Sequence, residues 1–130
     1  MLSYLLLVLK GIMEKRNDER AMISRDDSVV ISFSELRRVI FEILWEKHKI
    51  ALYDHEPELM NELQILSKMG FIKIEYADDT IKEIIIDKDN QEKIVRIVGI
   101  LKNVDSMYRV FAENIERAIN ESALRVSNVS

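Results

Sequence analysis

The hydrophobic period of the chain changes at Gly70. Upstream, Leu59, Met60, Leu63, Leu66 and Met69 recur every three or four residues, which puts them on one face of a helix. Downstream, Phe71-Ile72-Lys73-Ile74-Glu75-Tyr76 and Ile81-Lys82-Glu83-Ile84-Ile85-Ile86 read with period two on either side of Ala77-Asp78-Asp79-Thr80. A helix that runs through one glycine into a β-hairpin commits the chain to an α+β fold. Asp54, Glu56 and Glu58 complement the positive start of that helix, Pro57 is tolerated in its first turn, and Gly70 stands where a left-handed C-terminal cap belongs. The hairpin is expected to turn at Asp78-Asp79, a pair without the glycine of the commonest two-residue turns.

Other elements frame this centre. From Met1 to Arg16, Leu2, Leu5, Leu9 and Ile12 form a helical stripe that Tyr4, Leu6, Leu7, Val8 and Met13 widen beyond one face. The spacing predicts a helix buried on more than one side, in a core or a subunit interface. The polar stretch Asn17 to Ser28 reads as loop or helix end. Ser28-Val29-Val30-Ile31-Ser32 suits one short strand. Ser32 and Glu35 then have capping-box spacing ahead of a helix with core positions Leu36, Val39, Ile40, Ile43 and Leu44. That helix turns Glu35, Arg37, Arg38, Glu42 and Glu46 outward and fades at Lys47-His48-Lys49. From Asn90 to Asn120, Ile94, Ile97, Leu101, Val104, Tyr108, Phe111, Ile115 and Ala118 occupy a and d positions of four heptads. A continuous helix there would be about 46 Å long at 1.5 Å per residue, too long for so small a domain to cover. Gly99 and Asn103-Val104-Asp105-Ser106 leave open a division into two consecutive helices. Arg125 to Ser130 are expected to fray.

With 130 residues, 48% of them hydrophobic, 32% charged and none cysteine, the chain suits one compact domain held together without disulfides. The longest apolar run, Leu5 to Leu9, is far short of the roughly 20 residues that span a bilayer, and no basic segment precedes it. A cytoplasmic protein with no membrane partner is expected. Eighteen isoleucines, three glycines and one proline beside many charges match a thermophile's habit. No phosphate-binding loop, nucleophile elbow or dinucleotide glycines occur, so neither enzyme activity nor a cofactor is expected. His48 and His55 lie seven apart, which is no known ligand spacing, and read as surface residues. Trp45, Tyr53 and the six methionines read as packing.

Helix, strand, helix, helix, hairpin, helix is the element order of a winged helix-turn-helix. The stretch from Glu58-Leu59-Met60-Asn61 through Lys68-Met69-Gly70-Phe71 to Ile74 resembles that family's third helix entering its first wing strand. The resemblance covers about Val29 to Ile86, with a second helix longer than usual. The flanking helices are similar to those of small archaeal and MarR-type regulators that dimerise through their ends. It implies a mostly helical α+β homodimer divided into an N-terminal helix (1–16), a winged-helix core (29–87) and a coiled-coil-like dimerisation helix (90–120). The dimer interface would be made by Leu5, Leu9, Ile94, Ile97, Leu101, Val104, Tyr108, Phe111 and Ile115. A generic α+β domain, with the hairpin covering a helical bundle, is the alternative.

The resemblance also implies a DNA-binding transcription regulator whose third helix enters the major groove. Its outward positions would be about Glu58, Asn61, Glu62, Ile65 and Lys68, with Asn61 or Gln64 able to pair with adenine. Arg37, Arg38, Lys47 and Lys49 from helix two, with Lys68 on helix three and Lys73 and Lys82 on the wing, would contact double-stranded DNA. The charge opposes this. The net charge is -4, and Asp54 to Glu92 carries eleven acids against four bases. Neutralised phosphates supply much of protein–DNA affinity, and Asp78 and Asp79 at the wing tip would repel them. The competing expectation is an interaction module whose acidic face, with Ile65 as an apolar anchor, binds a basic protein.

Overall fold

The computed structural model describes residues 2–19 and 27–122. Residues 20–26 of the polar stretch, and the end expected to fray, lie outside the described residues. The chain runs α1 (Leu2–Glu19), β1 (Val29–Ser32), α2 (Phe33–Arg38), a π-helical continuation of α2 (Val39–Lys47), α3 (Glu56–Lys68), β2 (Lys73–Ala77), β3 (Thr80–Ile86), α4 (Lys88–Val104) and α5 (Ser106–Glu121). It is a mostly helical α+β fold with one small sheet.

That sheet is antiparallel with β3 at its centre, in the order β1-β3-β2. Ile31 pairs with Ile84 and Ile84 with Ile74, so one face of the sheet turns a row of isoleucines toward the helices. The register shifts between Glu75 and Tyr76, where the ladder from Glu83 resumes at Ile81. The turn falls at Asp78-Asp79 as expected. Asp78 takes the left-handed conformation (φ 59°) that aspartate tolerates better than most residues, so no glycine is needed.

Local chemistry accounts for the helix ends. Ser32 Oγ accepts the Glu35 amide at 3.1 Å, completing half of the capping box. The other half is not made, because the Glu35 carboxylate turns instead to the Arg16 guanidinium of α1, which also donates to the Val30 carbonyl. Past Arg38 the helix widens to the π form, and Leu36, Val39, Ile40, Ile43 and Leu44 are all buried as the spacing required. Gly70 (φ 88°) ends α3 in a paired arrangement, with Gly70 N–H donating to Ser67 O and Phe71 N–H to Leu66 O, both at 3.0 Å. Leu59, Leu63 and Leu66 are buried as expected, whereas Met69 caps the helix and points to solvent.

The core lies between two layers. In α1 every residue from Leu5 to Met13 is buried, Lys10 included, because α5 and α4 pack along it and α3 also touches it. Lys10 is tolerated there because its ammonium meets Glu116 at 3.0 Å and Glu14 at 3.1 Å. Burial alone would lower its pKa, but these carboxylates carry it above the ordinary value. Lys102 joins Glu116 at 3.1 Å, so one carboxylate ties α1, α4 and α5 together. Gly11 lets α5 approach, since a Cβ there would stand 2.9 Å from the Ile119 Cδ1.

The heptad stretch is divided. Asp105 leaves helical geometry (φ -133°, ψ 105°), and its carboxylate accepts the Met107 and Tyr108 amides at 3.1 Å, capping α5. The 90–120 segment is therefore two helices packed on each other, and no 46 Å rod needs an external cover. The residues assigned to the dimer interface accordingly part company. Leu5, Leu9, Ile94, Tyr108 and Ile115 are buried inside their own chain, Ile97, Leu101 and Phe111 are half-buried, and Val104 is exposed. The physical reason is that α4 and α5 fold back on α1 and cover it intramolecularly. Tyr4 stacks on Tyr108 (5.6 Å between ring centres) and meets Phe111 edge-on (4.9 Å), while the Tyr108 hydroxyl donates to Ser3 O at 2.9 Å. Burial, with Tyr4 and Glu116 nearby, pushes the Tyr108 pKa up to about 12.

Candidate nucleic-acid interface on the third helix and hairpin

Helix α3 lays Leu59, Leu63 and Leu66 on the core, so the intervening positions must face out. Glu58, Asn61, Gln64, Ile65 and Lys68 are exposed, as the helical spacing required. Glu62 is half-buried and already engaged, its Oε1 accepting the Tyr53 hydroxyl at 2.6 Å. Burial, reinforced by Glu62 and Glu58, pushes the Tyr53 pKa well above the usual tyrosine range. Tyr53 thereby fastens the loop before α3 to the helix, and Glu58 Oε1 does the same by accepting the Asp54 amide at 3.1 Å. The helix is positioned by its own acidic first turns.

The structure sorts the nine proposed DNA-contacting residues by availability. Asn61, Gln64 and Lys68 lie on the outward side of α3. Lys73 opens β2 and is exposed, and Lys82, also exposed, is the extra residue where the register slips in β3. Arg37 is exposed but pairs with Glu56 at 3.3 Å, across from α2 to the start of α3, and lies 5.7 Å over the Phe33 ring. Arg38 is half-buried. Lys47 is exposed at the end of the π-helical segment. Lys49 stands 5.5 Å over the Trp45 ring in a left-handed conformation (φ 58°). Trp45 is thus 47% exposed on the surface and not in the core. These nine residues do not form one continuous basic patch. Arg37 and Arg38 open onto a groove of about 780 Å³ that Glu42, Glu46, Asp54 and Glu56 also line, so acids outnumber bases on its wall. At the other end of the unit Asp78 and Asp79 occupy the hairpin tip.

Sequence reasoning missed two features. One is the Arg37–Glu56 pair, which depends on how α2 meets α3 and has no periodic signature. The other is the exposed Trp45, set by the widened π-helical turn. His48 and His55 are exposed, and no group of three His, Asp or Glu side chains that could hold a metal ion occurs among the described residues. No described helix is long and apolar enough to cross a membrane. Compared with known protein families, curated proteins and solved structures, the chain matches none of them.

Proposed function

We propose that the chain is a winged-helix module that binds double-stranded DNA, as a transcription regulator does, with α3 as the reading helix and the β2–β3 hairpin as the wing. The observation that carries this reading is architectural. A strand, two helices and a hairpin follow one another, the strand returns to pair with the hairpin's second strand in the order β1-β3-β2, and α3 turns Asn61 and Gln64 outward beside it. Both amides can form the bidentate pair with adenine in the major groove. Lys68, Lys73 and Lys82 supply phosphate contacts from the helix end and wing. Arg37 remains available, because an ion pair as exposed as Arg37–Glu56 contributes about 0–1 kcal/mol and exchanges readily for phosphate. On this reading the chain is a binding protein and not an enzyme.

The test is a titration of a labelled duplex at two salt concentrations. About four phosphate contacts would make affinity fall on the order of 100-fold between 50 and 200 mM salt. Lys73→Ala with Lys82→Ala should flatten that slope, and Asn61→Ala should weaken binding with the slope unchanged. Absence of binding at low salt, from folded protein, overturns the reading.

The acid-lined groove favours a second reading, an interaction module for a basic protein segment. Phe41 on the groove wall would be its apolar contact, and Glu42, Glu46 and Asp54 its charge complement. Binding that survives Lys73→Ala and Lys82→Ala but fails on Glu46→Lys distinguishes it from the first.

A further inference from the structure

The groove between α2, with its π-helical continuation, and the start of α3 is short of positive charge once its internal pairs are set aside. Arg37 is taken by Glu56, and Glu35 is taken by Arg16 through Oε1 alone. The remaining charged side chains on the wall are the Glu42, Glu46 and Asp54 carboxylates and one guanidinium, Arg38. None of these four makes an ion pair or a side-chain hydrogen bond with any described residue. A second observation lies on the same wall. The Glu35 side chain lines the groove while only 10% exposed, and its Oε2 has no hydrogen-bond partner among the described residues. A buried carboxylate oxygen without a donor costs free energy, which a ligand recovers by supplying the donor. The terminal torsion of a glutamate is broad, so Oε2 can turn to a donor that enters the groove.

We propose that this groove binds a linear aliphatic polyamine. Its ammonium groups pair with Glu42, Glu46 and Asp54, one of them supplies the donor that Glu35 lacks, and its methylenes lie on the half-buried ring of Phe41. Size selects such a ligand over a basic protein segment. A groove of about 780 Å³ has the volume of a small-molecule site, whereas a stable protein partner needs a surface of roughly 800 Å² a side. Spacing agrees. Glu42 and Glu46 are four residues apart along the π-helical segment and neighbour each other on its surface, a separation that the short methylene chain between successive amines can bridge. A metal dication fits less well, because it needs ligands that converge on one point. No group of three His, Asp or Glu side chains able to hold one occurs among the described residues. An extended organic cation meets the carboxylates one at a time.

The test is calorimetric titration of the full chain with spermidine at about 150 mM salt. No DNA is present, so the outcome is independent of the DNA reading. Spermidine should bind at one site per chain. Glu42→Gln with Glu46→Gln should weaken binding about tenfold or more, through the loss of two charge-assisted contacts. Both positions are exposed, so the variant's circular dichroism should match the wild type's. Asp78→Asn with Asp79→Asn removes the same charge at the hairpin tip and should leave the affinity unchanged. Absence of binding up to about 10 mM spermidine overturns the inference. An equal loss in the hairpin-tip variant overturns it too, because the attraction then belongs to the acidic surface at large. Binding of a lysine-rich peptide without binding of spermidine also overturns it and returns the groove to a basic protein segment.

Discussion

The helical layer of α1, α4 and α5 and the unit built from β1, α2, α3 and the hairpin use their apolar residues differently. In the second region, the core-facing positions of α2, α3 and the sheet are buried, and the exposed apolar residues are spread over several elements: Val30 on β1, Trp45 on the π-helical continuation of α2, Ile65 on α3, Met69 just after it and Tyr76 on β2. In the first, burial is more complete at the centre and less complete at the edge. Residues from Leu5 to Met13 are all covered, yet Ile100, Val104, Met107 and Val110 stand in solvent at the corner. The difference is one of arrangement: exposed apolar residues dispersed over several elements in one region, and most of them gathered within eleven residues around Asp105 in the other.

Substitutions can break this division. The largest effect is expected where α1 is covered on all sides. Leu9→Ala should cost about 3 kcal/mol in urea denaturation, because the cavity opens among residues that cannot collapse into it. Alkaline pH should act next, on both regions. Tyr108 and Tyr53 have pKa values raised by burial, and Lys10 has one raised by Glu116 and Glu14. In each case the folded state holds its proton more tightly than the unfolded state. Their contributions are fully present below about pH 10 and are lost as pH rises through the folded values, so the melting temperature should fall steeply above pH 10. Glu116→Ala should follow at about 1–2 kcal/mol, since it leaves the buried Lys10 with Glu14 alone. Gly70→Ala should cost about 1 kcal/mol, read from the melting temperature. No atom lies within 4 Å of the added Cβ, so the penalty is the left-handed backbone alone. The smallest effect sharpens the contrast. Val104→Ala should change the stability of the dilute monomer by less than about 0.5 kcal/mol, because that side chain is already in water.

How far the sequence could be read follows the range of each signal. The elements around Gly70 were legible residue by residue, since a change of hydrophobic period, a glycine cap and a short turn are all encoded within a few positions. The Ser32 cap and the buried set from Leu36 to Leu44 were legible for the same reason. The heptads from Ile94 to Ala118 were legible as apolar helix but not as architecture. Periodicity reports that a face will be covered and is silent about what covers it, so a seam against α1 of the same chain reads identically to a seam against a partner. One residue, Asp105, divides the run by capping a new helix, and both halves pack on α1. At the candidate interface, the outward positions of α3 followed from spacing, whereas the Arg37–Glu56 pair and the acids around Arg37 and Arg38 arise from packing between helices that are distant in sequence.

Hydrogen exchange, followed by mass spectrometry with and without duplex DNA, tests the placing of recognition on α3 and the hairpin most directly. The account predicts that DNA slows exchange in residues 56–82 and leaves residues 5–13 and 97–111 unchanged. No protection of 56–82 by DNA, or protection confined to 97–111, would contradict it.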